Sequence, residues 1–255
     1  FEANGDRGVL VVSQGADGAL ELAVPDDAGE PFRAAAVLYV RDWFDLDADL
    51  PSFYRIAGGD PLLEPVLRRF RGLRLVGVPD LFEALVWSIL GQQINLPFAY
   101  KLKRRFVESF GASTEHDGAR LWLFPEPATV AGLRREQLTE LQITGRKSDY
   151  LRHVAELVAS GELSKERLLA LQSAEAMERR LVSVRGIGPW TANYVMMRCL
   201  RMGSAFPVAD AGLRQAIRKL QGRADDPSEA DIRALAAGWS GWEAYATFYL
   251  WRTLY

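Results

Sequence analysis

The sequence predicts a mainly α protein that carries a small α+β domain at its N-terminus. Three observations lead there. Strand-like runs bounded by turn residues occur only before residue 25, whereas from residue 60 onward capping residues, helical apolar spacing and Gly or Pro stops follow one another almost without a gap. Charge divides at the same place. Residues 1–60 hold 4 Lys and Arg against 12 Asp and Glu, or −8, leaving 27 against 21, or +6, in residues 61–255. The net charge of −2 therefore averages an acidic part with a basic one, and a basic face for a polyanion coexists with a near-neutral total.

In the first part, Val9-Leu-Val-Val12 and Ala19-Leu-Glu-Leu-Ala-Val24 flank Gln14-Gly-Ala-Asp-Gly18, the pattern of a β-hairpin. Pro25-Asp-Asp-Ala-Gly29 ends the second strand. Residues 31–44 then follow a helical period, and Asp45-Leu-Asp-Ala-Asp49 interrupts it. The domain is placed at residues 1–56. Asp60 as cap and Pro61 at the first position start a helix over 62–70. Beyond it, Arg68, Arg69, Arg71 and Arg74 read as a solvated helix end or, alternatively, as a phosphate contact.

The next helix opens with Asp80, has Glu83 three places on as a capping box would, is amphipathic to Leu90 and stops at Gly91. Gln92, Gln93 and Ile94 make an exposed turn before a helix over 96–110. After the turn Phe124-Pro-Glu-Pro127, a short helical segment covers 129–142, and Gly145-Arg-Lys147 leads into a helix over 148–160 that Gly161 ends. The Arg146-Lys147 turn is read either as structural or as a phosphate contact.

Residues 174–184 look helical, Arg185-Gly-Ile-Gly188 breaks them, and a helical pattern resumes at Trp190 and runs to Arg201. Gly186 and Gly188 permit positive φ and add no Cβ, and Pro189 fits the first position of a new helix. Backbone N–H groups at such a helix start, together with the helix dipole, suit a phosphate. Gly203-Ser-Ala-Phe-Pro-Val-Ala-Asp210 is a loop whose last residue caps a helix over 211–220. The segment 231–255 reads as helical, with Trp239, Trp242, Tyr245, Phe248, Tyr249 and Trp251 mostly in the core.

Several function classes are excluded. One cysteine, Cys199, allows no intrachain disulfide and no cluster needing several thiolates. His116 and His153 lie far apart with no Cys or carboxylate set around them, which argues against a metal or nucleophile role. No run of about 18 apolar residues appears, so no membrane span is expected. A cytoplasmic protein is expected. Numbering starts at Phe1, with neither an initiator Met nor a charged-then-apolar leader, as a trimmed N-terminus gives.

The string Gly186-Ile-Gly-Pro-Trp-Thr-Ala-Asn-Tyr194 resembles the helix-hairpin-helix of the DNA glycosylase superfamily, and within it the AlkA-like branch, 3-methyladenine DNA glycosylase II. In that superfamily an Asp follows the hairpin by about a helix and a loop; Asp210 stands in that position. The resemblance covers roughly 58–255. It implies the helix-hairpin-helix glycosylase fold, two helical domains around a cleft: one over 81–202 with the hairpin, the other joining 57–80 to 203–255 with the catalytic Asp. Its site would comprise Asp210 as catalytic carboxylate, Trp190, Tyr194 and Trp251 as an aromatic base pocket, and Arg185, Gly186, Gly188 and Thr191 at DNA phosphate. Gln93, or Ile94 instead, would fill the gap left by an extruded nucleotide. Gln93 departs from the family pattern, which has an apolar Leu there.

Superfamily members that also cut the strand place a Lys just after the Gly-x-Gly-x turn. This sequence has Trp190 there, which implies a monofunctional enzyme. The resemblance implies no cofactor and no metal, a monovalent cation on the hairpin carbonyls being the one ion it admits. The expected partner is double-stranded DNA containing damaged bases, met by a monomer without a membrane. A glycosylase for deaminated bases and a noncatalytic damage-binding protein are the alternative readings.

Overall fold

Two small antiparallel hairpins open the chain in the computed structural model, which describes residues 1–255. β1 (Glu2–Ala3) pairs with β2 (Asp6–Arg7), and β3 (Val11–Gln14) pairs with β4 (Leu20–Ala23), Val11 facing Ala23. The second is the expected hairpin, shifted slightly along the chain. The first turns through Asn4 and Gly5, both at positive φ. α1 (Glu30–Trp43) begins with Pro31 and buries Phe32, Ala36 and Val40, one residue every fourth position along one face. Phe1 closes over that face, its ring 5.3 Å from Phe32 and 4.9 Å from Tyr39.

A separate and larger apolar core starts at Leu50 and continues to Leu250. α2 (Leu50–Ala57) carries Phe53, fully buried against Trp242, Tyr245 and Tyr249. α3 (Leu63–Arg69) starts one turn past Asp60, whose carboxylate accepts from the Leu62 and Leu63 N–H groups. α4 (Leu81–Gly91) is the central rod, with all but Glu83, Trp87 and Gly91 buried. Asp80 caps it through the Glu83 N–H, but no capping box closes: the Glu83 carboxylate turns to Lys103 Nζ at 2.6 Å. α5 (Leu96–Phe110), capped by Asn95, buries Ala99, Leu102 and Phe106.

The next stretch departs from the all-helical expectation. β5 (Ser113–His116) and β6 (Ala119–Trp122) form a third hairpin, turned by Asp117 and Gly118 at positive φ. The segment 129–142 divides into α6 (Pro127–Ala131) and α7 (Arg135–Thr139). α8 (Gly145–Ala159) starts three residues earlier than expected, because Thr144 caps it. α9 (Lys165–Leu169), α10 (Ala174–Val182), α11 (Pro189–Arg198) and α12 (Ala211–Gln221) follow. The C-terminal segment is not one helix: α13 (Glu229–Leu235) and a 3-10 turn (Ala236–Gly238) precede α14 (Glu243–Arg252), with Gly241 at φ +80 between them.

α8 and α11 pack on α4, while α3 and α12 pack on α14. Asp42, near the end of α1, ties the acidic N-terminal part to this body: it accepts from Lys165 Nζ at 2.6 Å and Arg201 Nε at 3.0 Å. No helix is long and apolar enough to cross a membrane.

Candidate active site

Val184 and Ile187 anchor the turn between α10 and α11 in the core, so Arg185, Gly186, Gly188 and Pro189 are left at the surface. Gly186 has φ +96, and a Cβ there would run into the Tyr150 ring. At Gly188, the cap of α11, a Cβ would meet nothing within 4 Å. The backbone N–H groups of Gly188, Trp190 and Thr191 have no acceptor within the chain. Free donors at a helix start, with open space before them, are what an anion needs. Arg185 stands exposed beside them with no carboxylate partner. Thr191 is 2 % exposed as a whole residue, and its Oγ1 accepts from Gln92 Nε2 at 3.2 Å, so its hydroxyl is not offered to a ligand.

Of the hairpin carbonyls, Val184 accepts from Ile187 N–H and Gly186 from Gln92 Nε2, and each keeps a second lone pair. No cluster of His, Cys, Asp or Glu has the makings of a metal site.

Asp210 lies where α11, α12 and α14 meet. Its Oδ2 accepts from the Trp190 indole at 2.9 Å and its Oδ1 from the Trp251 indole at 2.8 Å, while the Leu213 N–H of α12 donates to Oδ1 at 2.7 Å. Capping and a side-chain site thus coexist in one carboxylate. Three of its roughly four acceptor positions are filled, and the vacant one is on Oδ2. Gly212 makes the clasp possible: a Cβ there would stand 3.0 Å from Oδ1 and 3.4 Å from the Trp251 ring.

The Trp190 and Tyr194 rings stack at 5.5 Å and 26°, and Tyr194 lies 6.4 Å from Trp251. The two indoles are half-buried, whereas Tyr194 sits behind them at 6 % exposure. Burial pushes its phenol up, so the ring stays neutral. Arg198 lies over Tyr194 on the far side, 5.6 Å from the ring centre.

The turn after α4 puts Gln93 in solvent at φ +55 and packs Ile94 against the core. Of the two sequence candidates only Gln93 projects. Neither Gln92 nor Asn193 is a predicted site residue, yet both tie the site together. Gln92 Nε2 bonds Gly186 O at 2.9 Å as well as Thr191. Asn193 donates to Glu178 of α10 and accepts from Phe206 N–H in the loop that leads to Asp210. The only advance signal for Asn193 is its place in the hairpin string. Lys147 leaves the surface: 9 % exposed, its Nζ donates to Leu90 O at 2.6 Å, at the C-terminal end of α4. The pairing takes it away from any phosphate, which leaves Arg146 alone exposed in that turn.

Free N–H groups at the start of α11, the exposed Gln93 and a carboxylate clasped by two indoles are thus gathered on one helical scaffold. Residues 86–241 match the HhH-GPD superfamily base excision DNA repair protein family, and the chain belongs to that superfamily. It is similar to a DNA-3-methyladenine glycosylase of Bacillus subtilis, 50% identical over 223 residues that cover 88% of this chain and 73% of the relative. Similarity extends to DNA-3-methyladenine glycosylase 2 of Escherichia coli, 30% identical over 182 residues, or 71% of this chain and 61% of that one. Among solved structures, the 3-methyladenine DNA glycosylase from Archaeoglobus fulgidus shares the fold, with a TM-score of 0.84 at 24% identity over 99% of this chain and 84% of that one.

Proposed function

We propose that this protein is a monofunctional DNA glycosylase that flips alkylated bases, such as 3-methyladenine and 7-methylguanine, out of duplex DNA and hydrolyses the N-glycosidic bond. It acts as a monomer in the cytoplasm. The observation that carries this reading is the Asp210 carboxylate, fixed by the Trp190 and Trp251 indoles with one acceptor position left open. The names of the Bacillus subtilis and Escherichia coli relatives support the same substrate class.

A base inside a duplex cannot be attacked at its sugar bond until it leaves the stack. The hairpin N–H groups and Arg185 hold backbone phosphates, Gln93 enters the vacated space, and the base meets Trp190 and Trp251. Gln93 can hydrogen-bond the orphaned partner base as well as fill space. An alkylated purine carries positive charge, worth about 0.5–2 kcal/mol against an electron-rich ring. It is also a good leaving group and needs no strong acid. The bond from C1′ to the base nitrogen breaks with its electron pair going to the base, whose charge is thereby neutralised.

The sugar becomes oxocarbenium-like. Asp210 stabilises that charge through Oδ2, already oriented, so no reorganisation is needed at the moment of reaction. Water, oriented by Asp210, adds at C1′, and its proton passes to solvent water. At residue 190 an indole stands where a Schiff-base Lys would be, and the abasic site is left uncut.

The test is base release from methylated duplex DNA by wild type and by Asp210→Asn, with strands examined before and after alkali. Wild type is expected to free methylated purines and to give strand breaks only after alkali; the variant binds without release. Binding without release by both proteins would convert the reading to a damage binder. Release from a hypoxanthine duplex alone would make it an enzyme for deaminated bases, and breaks without alkali would overturn the monofunctional assignment.

A further inference from the structure

Gln92 ends α4 and stands immediately before the projecting Gln93. Its amide has two N–H bonds, and Nε2 reaches two acceptors on the hairpin, 94 and 99 residues further along the chain: Gly186 O at 2.9 Å and Thr191 Oγ1 at 3.2 Å. The Thr191 side chain is buried, so its hydroxyl is withdrawn from solvent and oriented by this contact. Two further contacts immobilise the same turn. Lys147 Nζ holds Leu90 O from below, and Ile94 is packed on the core just after Gln93. Gln93 itself, at φ +55, occupies a left-handed conformation that a non-glycine residue keeps only when its surroundings impose it.

The finger therefore cannot shift relative to the hairpin without breaking the Gln92 bonds. Gly186 lies beside the free N–H groups proposed to hold phosphate, and Thr191 carries one of them. We propose that Gln92 is a positioning residue that registers the Gln93 wedge on the phosphate-gripping hairpin, so that capture of the backbone and entry into the base stack occur in one geometry. This rests on the glycosylase reading above.

The experiment is a double-mutant cycle on the full chain. Single-turnover release of 7-methylguanine from a duplex is measured for wild type, Gln92→Met, Gln93→Ala and the double variant, alongside Kd for an abasic duplex and the melting temperature. Methionine keeps the length and removes the donors. Each single variant is expected to slow release about tenfold, and the double variant to be no slower than the slower single, because a wedge out of register and a missing wedge are one defect. Kd should change less than about threefold, since the hairpin still holds phosphate. Release by Gln92→Met at the wild-type rate, or losses that multiply in the double variant, would overturn the proposal.

Thr191→Val, which removes only the weaker acceptor, serves if Gln92→Met does not fold. It should slow release about threefold, and that loss should vanish in the Gln93→Ala background. If it does not slow release, or the loss persists in that background, the proposal falls. A wild type that releases no methylated base overturns the parent reading, and this is visible before any variant is compared.

Discussion

The hairpin turn and the Asp210 corner share one residue, and they treat polar groups in opposite ways. The backbone of Trp190 faces the turn, where N–H groups go without acceptors; its indole faces Asp210, where every donor in reach is bonded. An open set of donors waits for a ligand that brings its own oxygens. A carboxylate held by three donors is instead rigid before any ligand arrives, which suits a group that must meet charge developing at one atom. On the proposed function, binding and chemistry fall to adjacent but separable parts, and damage to one should leave the other nearly intact.

The largest effect expected from this contrast is at Asp210. Asp210→Ala should lower single-turnover release by about 10²–10³-fold, the range for a preorganised electrostatic group, while Kd for an abasic duplex stays within about threefold. Comparable losses in both would show that the two parts are not separable.

Gly212→Ala sharpens the comparison, because it leaves the turn alone and keeps the carboxylate while crowding its Oδ1. The added methyl forces Asp210 and the Trp251 ring apart by a few tenths of an ångström, and release should slow about tenfold. The melting temperature should not fall, since Ala is the better helix former. An unchanged rate would mean that the second indole bond is dispensable.

At the hairpin, Arg185→Ala should weaken duplex binding several-fold and reduce the slope of log Kd against log salt by about 1, with the rate at saturation unchanged. The smallest effect lies outside both regions. Burial pushes the Cys199 thiol up to about 12, so at pH 8 it stays protonated and a thiol reagent should leave the folded protein unlabelled and fully active. Labelling before unfolding would show that the core near α11 opens.

Legibility in the sequence followed the range of the signal. The hairpin was readable because Gly186 and Pro189 report backbone requirements within four residues, whereas Gly188, expected to use positive φ, sits at φ −94 with open space at its Cβ. Helix starts at Asp80 and Asp210 are likewise local, since a cap bonds an N–H three residues away. The β5–β6 hairpin was missed because its first strand, Ser-Thr-Glu-His, is wholly exposed and has no apolar alternation; only Asp117-Gly118 marked it. The break before α14 was missed for another reason. A Cβ at Gly203 would strike the Gly241 carbonyl, and the Gly203 carbonyl accepts from Ala244 N–H, so a contact across 38 residues shapes the turn.

The sequence by itself determined where several helices begin, that a glycine turn faces outward, and which carboxylate follows it at the spacing of a known family. It did not determine that Trp190 and Trp251 converge on Asp210, that Gln92 reaches the hairpin, or that Lys147 is spent on the end of α4. Apolar burial brings helices together without specifying direction, whereas a hydrogen bond requires its two atoms to lie about 3 Å apart at a defined angle. Those pairings depend on how the faces of α4, α8, α11, α12 and α14 settle against one another, and only the packed tertiary structure decides that.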